Sequence, residues 1–384
     1  MVRAFTVMGE GTVYREQLCY FSDSERTYSY VHLSGIEGIE DYRASLDVTD
    51  NNDGGPTITM KATVTANEDR AVEAAVGTKA IFDKGIEALA KLAERVEVVD
   101  QKPTGNPGNS ESSVVIQGAP SLSLLAKTKK GRTLCLFLHG IGGRKENWTQ
   151  QLSCADPEMS VAALDLRGYG GSDLGHAQST ISDYCHDILR VKETFDAERL
   201  VLCGLSYGAW IATSFAIRYP DLLAGLVLSG GCTGMSEASV EEREAFRDSR
   251  DTPLASGLTP ADFTLDVLKV IAGPHCDGET KEHLSNSMRQ ISVGTYRDAL
   301  NCFTNPQERF DFSKLTMPVL LMTGEFDKLA PPSEIKSVAQ RICEQAKTPD
   351  VRFEIITGAG HVCNVEQPEQ YNRVLSEFLA RLPK

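Results

Sequence analysis

The chain has 384 residues, of which 41% are hydrophobic and 24% are charged, a composition typical of a folded protein with a large core. Its length predicts two domains. The formal net charge is −14 and no basic cluster stands out, which disfavours nucleic acid and anionic membranes as partners. No apolar run approaches the roughly 20 residues that span a bilayer, and the N-terminus lacks a signal-peptide core. We therefore expect no membrane insertion and a cytoplasmic location.

The ten cysteines form no Cys-x-x-Cys pair and lie mainly in apolar segments, as do Cys135, Cys203, Cys232 and Cys343. This pattern predicts buried free thiols in a reducing compartment rather than disulfides. The sequence has no cluster with metal-ligand spacing and no Gly-rich dinucleotide fingerprint. We therefore predict neither a metal nor a cofactor.

Apolar and polar residues alternate through much of the first 98 residues, which predicts antiparallel strands with one face in water. The predicted strands cover residues 12–20, 27–33, 42–48 and 57–64. A long amphipathic helix is predicted over about 70–96. Its apolar residues at helical spacing are Ile81, Ile86, Leu89, Leu92 and Val96.

Residues 1–98 resemble part of the polyketide-cyclase/START-like (SRPBCC, helix-grip) family. The resemblance rests on Arg15-Glu16 in a strand, on Asp23 and Tyr28-x-Tyr30, and on the closing helix. Members of that family usually begin with a further strand and two short helices, so the resemblance implies a partial domain. An incomplete sheet exposes an edge and an apolar face. We therefore expect a homodimer through this domain; the alternative is that it binds a hydrophobic ligand.

Residues 99–112 are rich in Pro, Gly, Asn and Ser and are predicted to be a linker. From 113 to 384, short continuous apolar runs alternate with helical patterns, which predicts an α/β fold with a mostly parallel sheet. The runs are 134–138, 161–164, 200–203, 226–228, 319–322 and 353–356. Several helical patterns at about 231–316 predict a helical cap.

The most informative motif is Gly204-Leu205-Ser206-Tyr207-Gly208, which lies between an apolar run and a helical pattern. Strand, Gly-x-Ser-x-Gly and helix make a nucleophile elbow, a sharp turn that lifts the serine hydroxyl above the sheet edge. Because a serine hydroxyl keeps its proton at neutral pH, Ser206 needs a base, and the base needs an orienting acid. We expect Ser206 to be a catalytic nucleophile.

Two later strand ends supply the acid and the base. Asp327 follows the run at 319–322, and His361 follows the run at 353–356 and a Gly-Ala-Gly turn. Glu325 is the competing acid, but it lies too close to its strand end to reach across. His139 is another candidate base, and its place in the loop after residues 134–138 favours a structural role. We predict a catalytic triad of Ser206, Asp327 and His361.

Acyl transfer also needs donors for the developing oxyanion, which are usually backbone N–H groups. The N–H of Tyr207, directly after the nucleophile, is one predicted donor. The N–H of Ile141, in the loop after an early strand, is the other. Trp148, Met235 and Val362 are predicted to line the substrate pocket.

Five motifs occur in a set order: Leu138-His139-Gly140, the stretch Asp165 to Asp173 (Asp-x-Arg-Gly-Tyr-Gly-x-Ser-Asp), Gly204-x-Ser206-x-Gly208, Gly324-x-x-Asp327 and Gly360-His361. Together they resemble the α/β-hydrolase superfamily over about residues 113–384. The residues after Gly360 resemble those of enol-lactonases, small esterases and cofactor-free haloperoxidase-like relatives. The resemblance implies that the Asp165–Asp173 stretch is a structural loop braced by a salt bridge.

The resemblance implies a serine hydrolase that cleaves a small-molecule ester or lactone through an acyl-enzyme intermediate. Two other functions stay open. A C–C bond hydrolase of the meta-cleavage type uses the same triad, and a protein of this fold can bind a hydrophobic ligand without catalysis. A serine at the elbow argues against haloalkane dehalogenases and epoxide hydrolases, which carry aspartate there.

Overall fold

The computed structural model describes residues 2–6, 13–22, 27–34, 39–50, 56–66, 70–95, 111–154, 158–307, 309–347 and 349–382. The chain divides into two units, Met1–Val99 and Asp100–Lys384. Asp23, most of the predicted linker (99–110) and the turn at 51–55 lie outside the described residues. Among the described residues, no helix is both long enough and apolar enough to cross a bilayer.

The first unit is an antiparallel meander whose strands pair in chain order, followed by one helix. The strands are β1 (Val2–Thr6), β2 (Val13–Ser22), β3 (Thr27–Ser34), β4 (Ile39–Asp50) and β5 (Pro56–Ala66), and the helix is α1 (Ala71–Arg95). β1 was not predicted from the sequence. It is short and pairs with β2 through the register Ala4↔Arg15.

The core of the first unit is small and rich in aromatic residues. Tyr30, Tyr42, Ala44 and Phe82 are buried, with the two tyrosine rings 6.4 Å apart. Phe82 supplies the contact from α1, whereas Ile81 is 66% exposed. The helical periodicity therefore located the helix correctly but placed Ile81 on the wrong face, because the neighbouring phenylalanine has the larger apolar surface to bury.

The second unit is built on an eight-stranded sheet in the order β13-β12-β11-β10-β8-β9-β7-β6. Its pairs from β9 through β8 to β13 are parallel, and β6 and β7 add an antiparallel edge. The strands are β6 (Ser112–Ile116), β7 (Leu122–Lys127), β8 (Thr133–Leu138), β9 (Ser160–Leu164), β10 (Arg199–Leu205), β11 (Leu223–Ser229), β12 (Val319–Gly324) and β13 (Val351–Ile356).

The helices of the second unit fall into two groups. The sheet-associated helices are α2 (Ile181–Thr194), α3 (Tyr207–Arg218), α8 (Pro332–Gln345), α9 (Cys363–Glu366) and α10 (Pro368–Leu379). Between β11 and β12 the chain forms the four helices that we call the cap: α4 (Val240–Ala255), α5 (Thr264–Ile271), α6 (Gly278–Arg289) and α7 (Val293–Thr304). A 3₁₀ segment covers Lys145–Ser153.

Hydrophobic cores lie on both faces of this sheet. The central strands β10 and β11 are buried almost throughout, because helices cover both faces of a parallel sheet. Their continuous apolar runs predicted them. The parallel order also brings the carboxyl ends of β8, β10, β11, β12 and β13 to one edge, where ligand sites of α/β sheets usually form.

All ten cysteines are free thiols, and seven of them are buried. Cys135 and Cys203, on the adjacent strands β8 and β10, have their sulfur atoms 3.6 Å apart without a covalent bond. Burial raises the pKa of Cys203 well above its usual value. Cys343, expected to be buried, is exposed, as is Cys19.

Candidate active site

Ser206 lies in the sharp turn between β10 and α3. Its backbone has φ +55° and ψ −113°, a left-handed conformation that non-glycine residues rarely adopt outside functional turns. The Ser206 N–H donates to the carbonyl of Ser229 at 2.8 Å, so the turn is tied to the end of β11. The side chain is partly exposed. The Gly-x-Ser-x-Gly motif therefore has the geometry of a nucleophile elbow.

Gly204 and Gly208 are required by close backbone approach. A Cβ atom on Gly204 would lie 2.2 Å from the carbonyl oxygen of Gly208. A Cβ atom on Gly208 would lie 2.2 Å from the carbonyl oxygen of Leu138, at the end of β8. Any side chain at either position would push the turn away from the sheet.

Asp327 and His361 form a buried hydrogen-bonded pair. His361 Nδ1 lies 3.0 and 2.9 Å from the two carboxylate oxygens of Asp327. Because a carboxylate only accepts hydrogen bonds, Nδ1 carries the proton and Nε2 is the basic nitrogen of the neutral ring. Glu325, the competing acid, instead accepts from the N–H of Gly358 at 2.9 Å.

Several donors converge on the Asp327 carboxylate. The N–H groups of Leu329 and Ala330 donate to Oδ1 at 2.8 and 2.9 Å, and the Thr323 hydroxyl lies 3.2 Å from Oδ2. Burial alone would raise the pKa of Asp327. The hydrogen bond from His361, the positive charge of a protonated His361 and the N–H groups of Leu329 and Ala330 outweigh burial and lower the pKa of Asp327 below its ordinary value. Asp327 is therefore ionised at neutral pH.

Two glycines after β11 lie between Ser206 and the Asp327–His361 pair. A Cβ atom on Gly230 would lie 3.1 Å from His361 Cε1 and 3.3 Å from Asp327 Oδ2. A Cβ atom on Gly231 would lie 3.3 Å from the carbonyl oxygen of Ser206. The end of β11 therefore borders both Ser206 and the Asp327–His361 pair.

The loop after β8 is held by His139, which is fully buried. Its Nε2 accepts from the N–H of Leu166 at 3.0 Å, so its Nδ1 carries the proton and donates to the Gly140 carbonyl at 2.7 Å. The same carbonyl accepts from Gly143 at 2.9 Å. Burial lowers the pKa of His139, which keeps the ring neutral. With both nitrogens engaged, His139 has the structural role expected of it.

This arrangement orients the peptide between Gly140 and Ile141. In a trans peptide the N–H points opposite to the C=O. Since the Gly140 carbonyl is turned toward His139, the N–H of Ile141 points away from that ring. A Cβ atom on Gly140 would lie 3.2 Å from Ser206 Cβ, so the loop borders the nucleophile directly. Tyr207 begins α3, and its N–H is free of an intrahelical acceptor.

Two buried ion pairs brace the loop that follows β9. The Lys145 ammonium pairs with Asp165 at 2.5 Å, and the Lys145 N–H donates to the same carboxylate at 2.8 Å. Arg167 pairs with Asp187 of α2 at 2.8 Å. The predicted salt-bridged brace is therefore present, but Asp165 and Arg167 each pair with a residue outside the loop.

The predicted pocket residues have different environments. Trp148 is fully buried in the core and stacks on Phe137 with ring centroids 5.0 Å apart. Val362 is 7% exposed beside His361, and Met235 is half-buried after β11. From the cap, Met288 approaches the loop after β8, with its sulfur 3.3 Å from where a Cβ atom of Gly142 would lie.

The sequence did not single out Glu366, although it lies five residues after His361. Its carboxylate accepts from the N–H of Gly360 and from that of Gly273, next to the cap helix α5.

A cavity of about 220 Å³ lies between α2, α3 and α7, lined by Gln178, Ser179 and Asn301 among others. None of the predicted site residues lines that cavity.

Comparisons with known proteins identify the fold family of the chain. Residues 134–368 match the model of the alpha/beta hydrolase fold family. The chain is 22% identical over 252 residues to 3-oxoadipate enol-lactonase 2 of Acinetobacter baylyi, which covers 65% of this chain and 90% of that protein. It is 27% identical over 283 residues to a 2-hydroxy-6-oxononadienedioate/2-hydroxy-6-oxononatrienedioate hydrolase of Paraburkholderia phymatum, covering 70% of this chain and 94% of that protein.

Among solved structures, a thermophilic esterase from Thermogutta terrifontis superimposes with a TM-score of 0.60 at 25% identity. The superposition covers 71% of this chain and 98% of the esterase. The family match extends from β8 to the start of α10, and it therefore contains the elbow, the acid loop and the histidine loop. The chain belongs to the alpha/beta hydrolase fold family, and it is a hydrolase.

Proposed function

We propose that this hydrolase cleaves a carboxylic ester or lactone through an acyl-enzyme intermediate. The observation that carries the proposal is the buried Asp327–His361 pair, set beside a serine in a left-handed elbow. The similarity to an enol-lactonase and to an esterase supports the same proposal. The arrangement supplies a nucleophile, a base and a charge that stabilises the protonated base.

In the acylation step, the Ser206 hydroxyl attacks the carbonyl carbon while His361 Nε2 takes its proton. Asp327 holds the tautomer of His361 and stabilises the imidazolium that forms. The N–H groups of Ile141 and Tyr207 bind the developing oxyanion. The imidazolium then gives the proton to the leaving oxygen. A water molecule activated by His361 releases the acyl group and restores Ser206.

The Ser206→Ala variant tests this proposal. We expect turnover of p-nitrophenyl butyrate to fall about a millionfold, toward the residual level that binding and the oxyanion donors provide. A fluorophosphonate should label the wild-type chain at Ser206, as read by peptide mass spectrometry. Ser214→Ala is a matched control, because Ser214 lies in α3 with a buried hydroxyl that has no hydrogen-bond partner. Labelling at another residue, or neither labelling nor turnover in the wild type, contradicts the proposal.

C–C bond hydrolysis is the second candidate, favoured by the similarity to the oxononadienedioate hydrolase. The same three residues would serve it, so geometry does not separate the two reactions. Activity profiling across ester chain lengths, lactones and vinylogous diketones does so, with Ser206→Ala as the blank. Cleavage of a diketone at a higher kcat/KM than any ester or lactone would favour this second function.

We also propose that the first unit is a START-like domain. The support is its antiparallel meander followed by a 25-residue helix, α1, together with the aromatic core around Tyr30 and Tyr42. Its proposed role is assembly of the hydrolase. A hydrophobic ligand that copurifies with the full chain would instead favour the ligand-binding alternative.

A further inference from the structure

Glu366 joins the cap to the loop that carries His361. One carboxylate oxygen accepts from the N–H of Gly273 at 2.7 Å, and the other accepts from the N–H of Gly360 at 3.1 Å. Gly273 lies two residues after the end of α5, and Gly360 directly precedes His361. A single side chain therefore satisfies backbone donors on two segments that are far apart in the sequence.

The two segments also touch through their backbones. A Cβ atom on Gly273 would lie 2.6 Å from the Gly360 nitrogen, and one on Gly360 would lie 2.4 Å from the Gly273 nitrogen. In addition, the His361 N–H donates to the carbonyl of Ile271, the last residue of α5, at 2.7 Å. The position of the His361 main chain is thus defined by the cap as well as by β13.

The charge on Glu366 bears on His361 as well. Burial raises the pKa of Glu366 above its ordinary value, although the backbone amides of Gly273, Gly360 and Val362 and the charge of a protonated His361 act against this rise. Among the described residues, Cys276 and Cys363 also interact electrostatically with Glu366. Burial raises the pKa of both thiols, that of Cys276 to about 11, so both are neutral at neutral pH. In the proposed mechanism, His361 gains and loses a positive charge near Glu366 during acyl transfer.

We propose that Glu366 is a positioning residue, which holds the main chain directly before His361 against the cap. The inference rests on the proposed function, since it assigns Glu366 to the base of that mechanism. Glu366 acts through His361 and the backbone, and no contact with substrate is assigned to it. Its negative charge complements the imidazolium that forms when Ser206 loses its proton.

Glu366→Gln tests the proposal, because glutamine has the same shape but turns an N–H₂ group toward one of the two backbone donors. We expect kcat for p-nitrophenyl butyrate to fall about 10- to 100-fold, as for loss of a buried hydrogen bond to a charged group, with KM changed less than about twofold. An unchanged kcat would overturn the proposal, and so would a loss confined to KM.

Glu325→Gln is the matched control. Glu325 is exposed and also accepts an N–H of the histidine loop, that of Gly358, but among the described residues its side chain makes no hydrogen bond to the cap. We expect this variant to keep the wild-type kcat. An equal loss of kcat in both variants would contradict the specific role of Glu366.

Glu366→Asp decides the question where the glutamine variant does not fold. Aspartate keeps the charge but is one methylene shorter, so it cannot reach both donors. We expect kcat to fall with KM changed less than about twofold, and a wild-type kcat would overturn the proposal. Failure of the serine-hydrolase proposal is distinguishable, because the wild type itself would then neither turn over esters nor react with a fluorophosphonate.

Discussion

At the residue scale, Gly230 leaves room beside the Asp327–His361 pair because it has no side chain. It combines a left-handed φ of +56° with close approach to His361 and Asp327. A side chain there would meet both groups at once. The geometry of the Asp327–His361 pair therefore depends on the absence of a side chain at position 230.

We expect Gly230→Ala to lower kcat/KM about tenfold, because a Cβ atom 3.1 Å from His361 Cε1 displaces the imidazole by less than the 1 Å that costs about a hundredfold. Its left-handed backbone should cost about 1–2 kcal/mol of unfolding free energy. Gly257→Ala is the matched control, since Gly257 has φ +94° but open space around it. The control should lose comparable stability in urea unfolding and keep full activity. Full activity in Gly230→Ala would show that the pair tolerates displacement.

Short sequence patterns were enough to predict those residues of the candidate site that lie shortly after the end of a strand. Ser206, Asp327 and His361 each follow an apolar run and a glycine turn, and the parallel sheet then brings them together. Glu366 has no such signal. Its partner Gly273 is 93 residues away. The contact forms only once the cap has folded onto the sheet, so no local pattern could have predicted it.

At the scale of elements, burial explains which strands the sequence predicted. β10 and β11 are covered on both faces and read as continuous apolar runs. β6 at the sheet edge is mostly exposed, with Val115 50% exposed, and it was missed. β7 was also missed, although it is largely buried. Its short apolar run is interrupted by Ser123 and ends at Lys127. Tertiary context decides such segments.

The brace between the 3₁₀ segment and the end of β9 gives a prediction about stability. Asp165 is fully buried, and its loss leaves the mostly buried Lys145 ammonium with only the more distant carboxylate of Glu146, at 3.4 Å. We expect Asp165→Ala to lower the free energy of unfolding by about 3–5 kcal/mol. Glu282→Ala breaks an exposed pair with Arg289 of α6 and should cost at most about 1 kcal/mol. Equal losses in urea unfolding would mean that the brace is not an important source of stability.

At the scale of the whole molecule, the prediction is that the chain forms a homodimer through its first unit. Val72, Val76 and Ile81 of α1 are each more than 60% exposed. If this unit mediates dimerisation, light scattering should give twice the chain mass of 41.9 kDa. Val76→Lys should then favour the monomer, whereas Leu265→Lys in α5, equally exposed, should not. A wild-type mass of one chain contradicts the prediction.

The distribution of cysteines has a practical consequence for measuring this two-unit chain. The two exposed thiols fall one in each unit, Cys19 on β2 and Cys343 on α8. Thiols with a raised pKa and no solvent access react slowly with electrophiles. A pair of fluorescent dyes would therefore attach to the native sequence at these two positions, without introduced cysteines. The separation of the two units becomes directly measurable by energy transfer, with and without a bound acyl group.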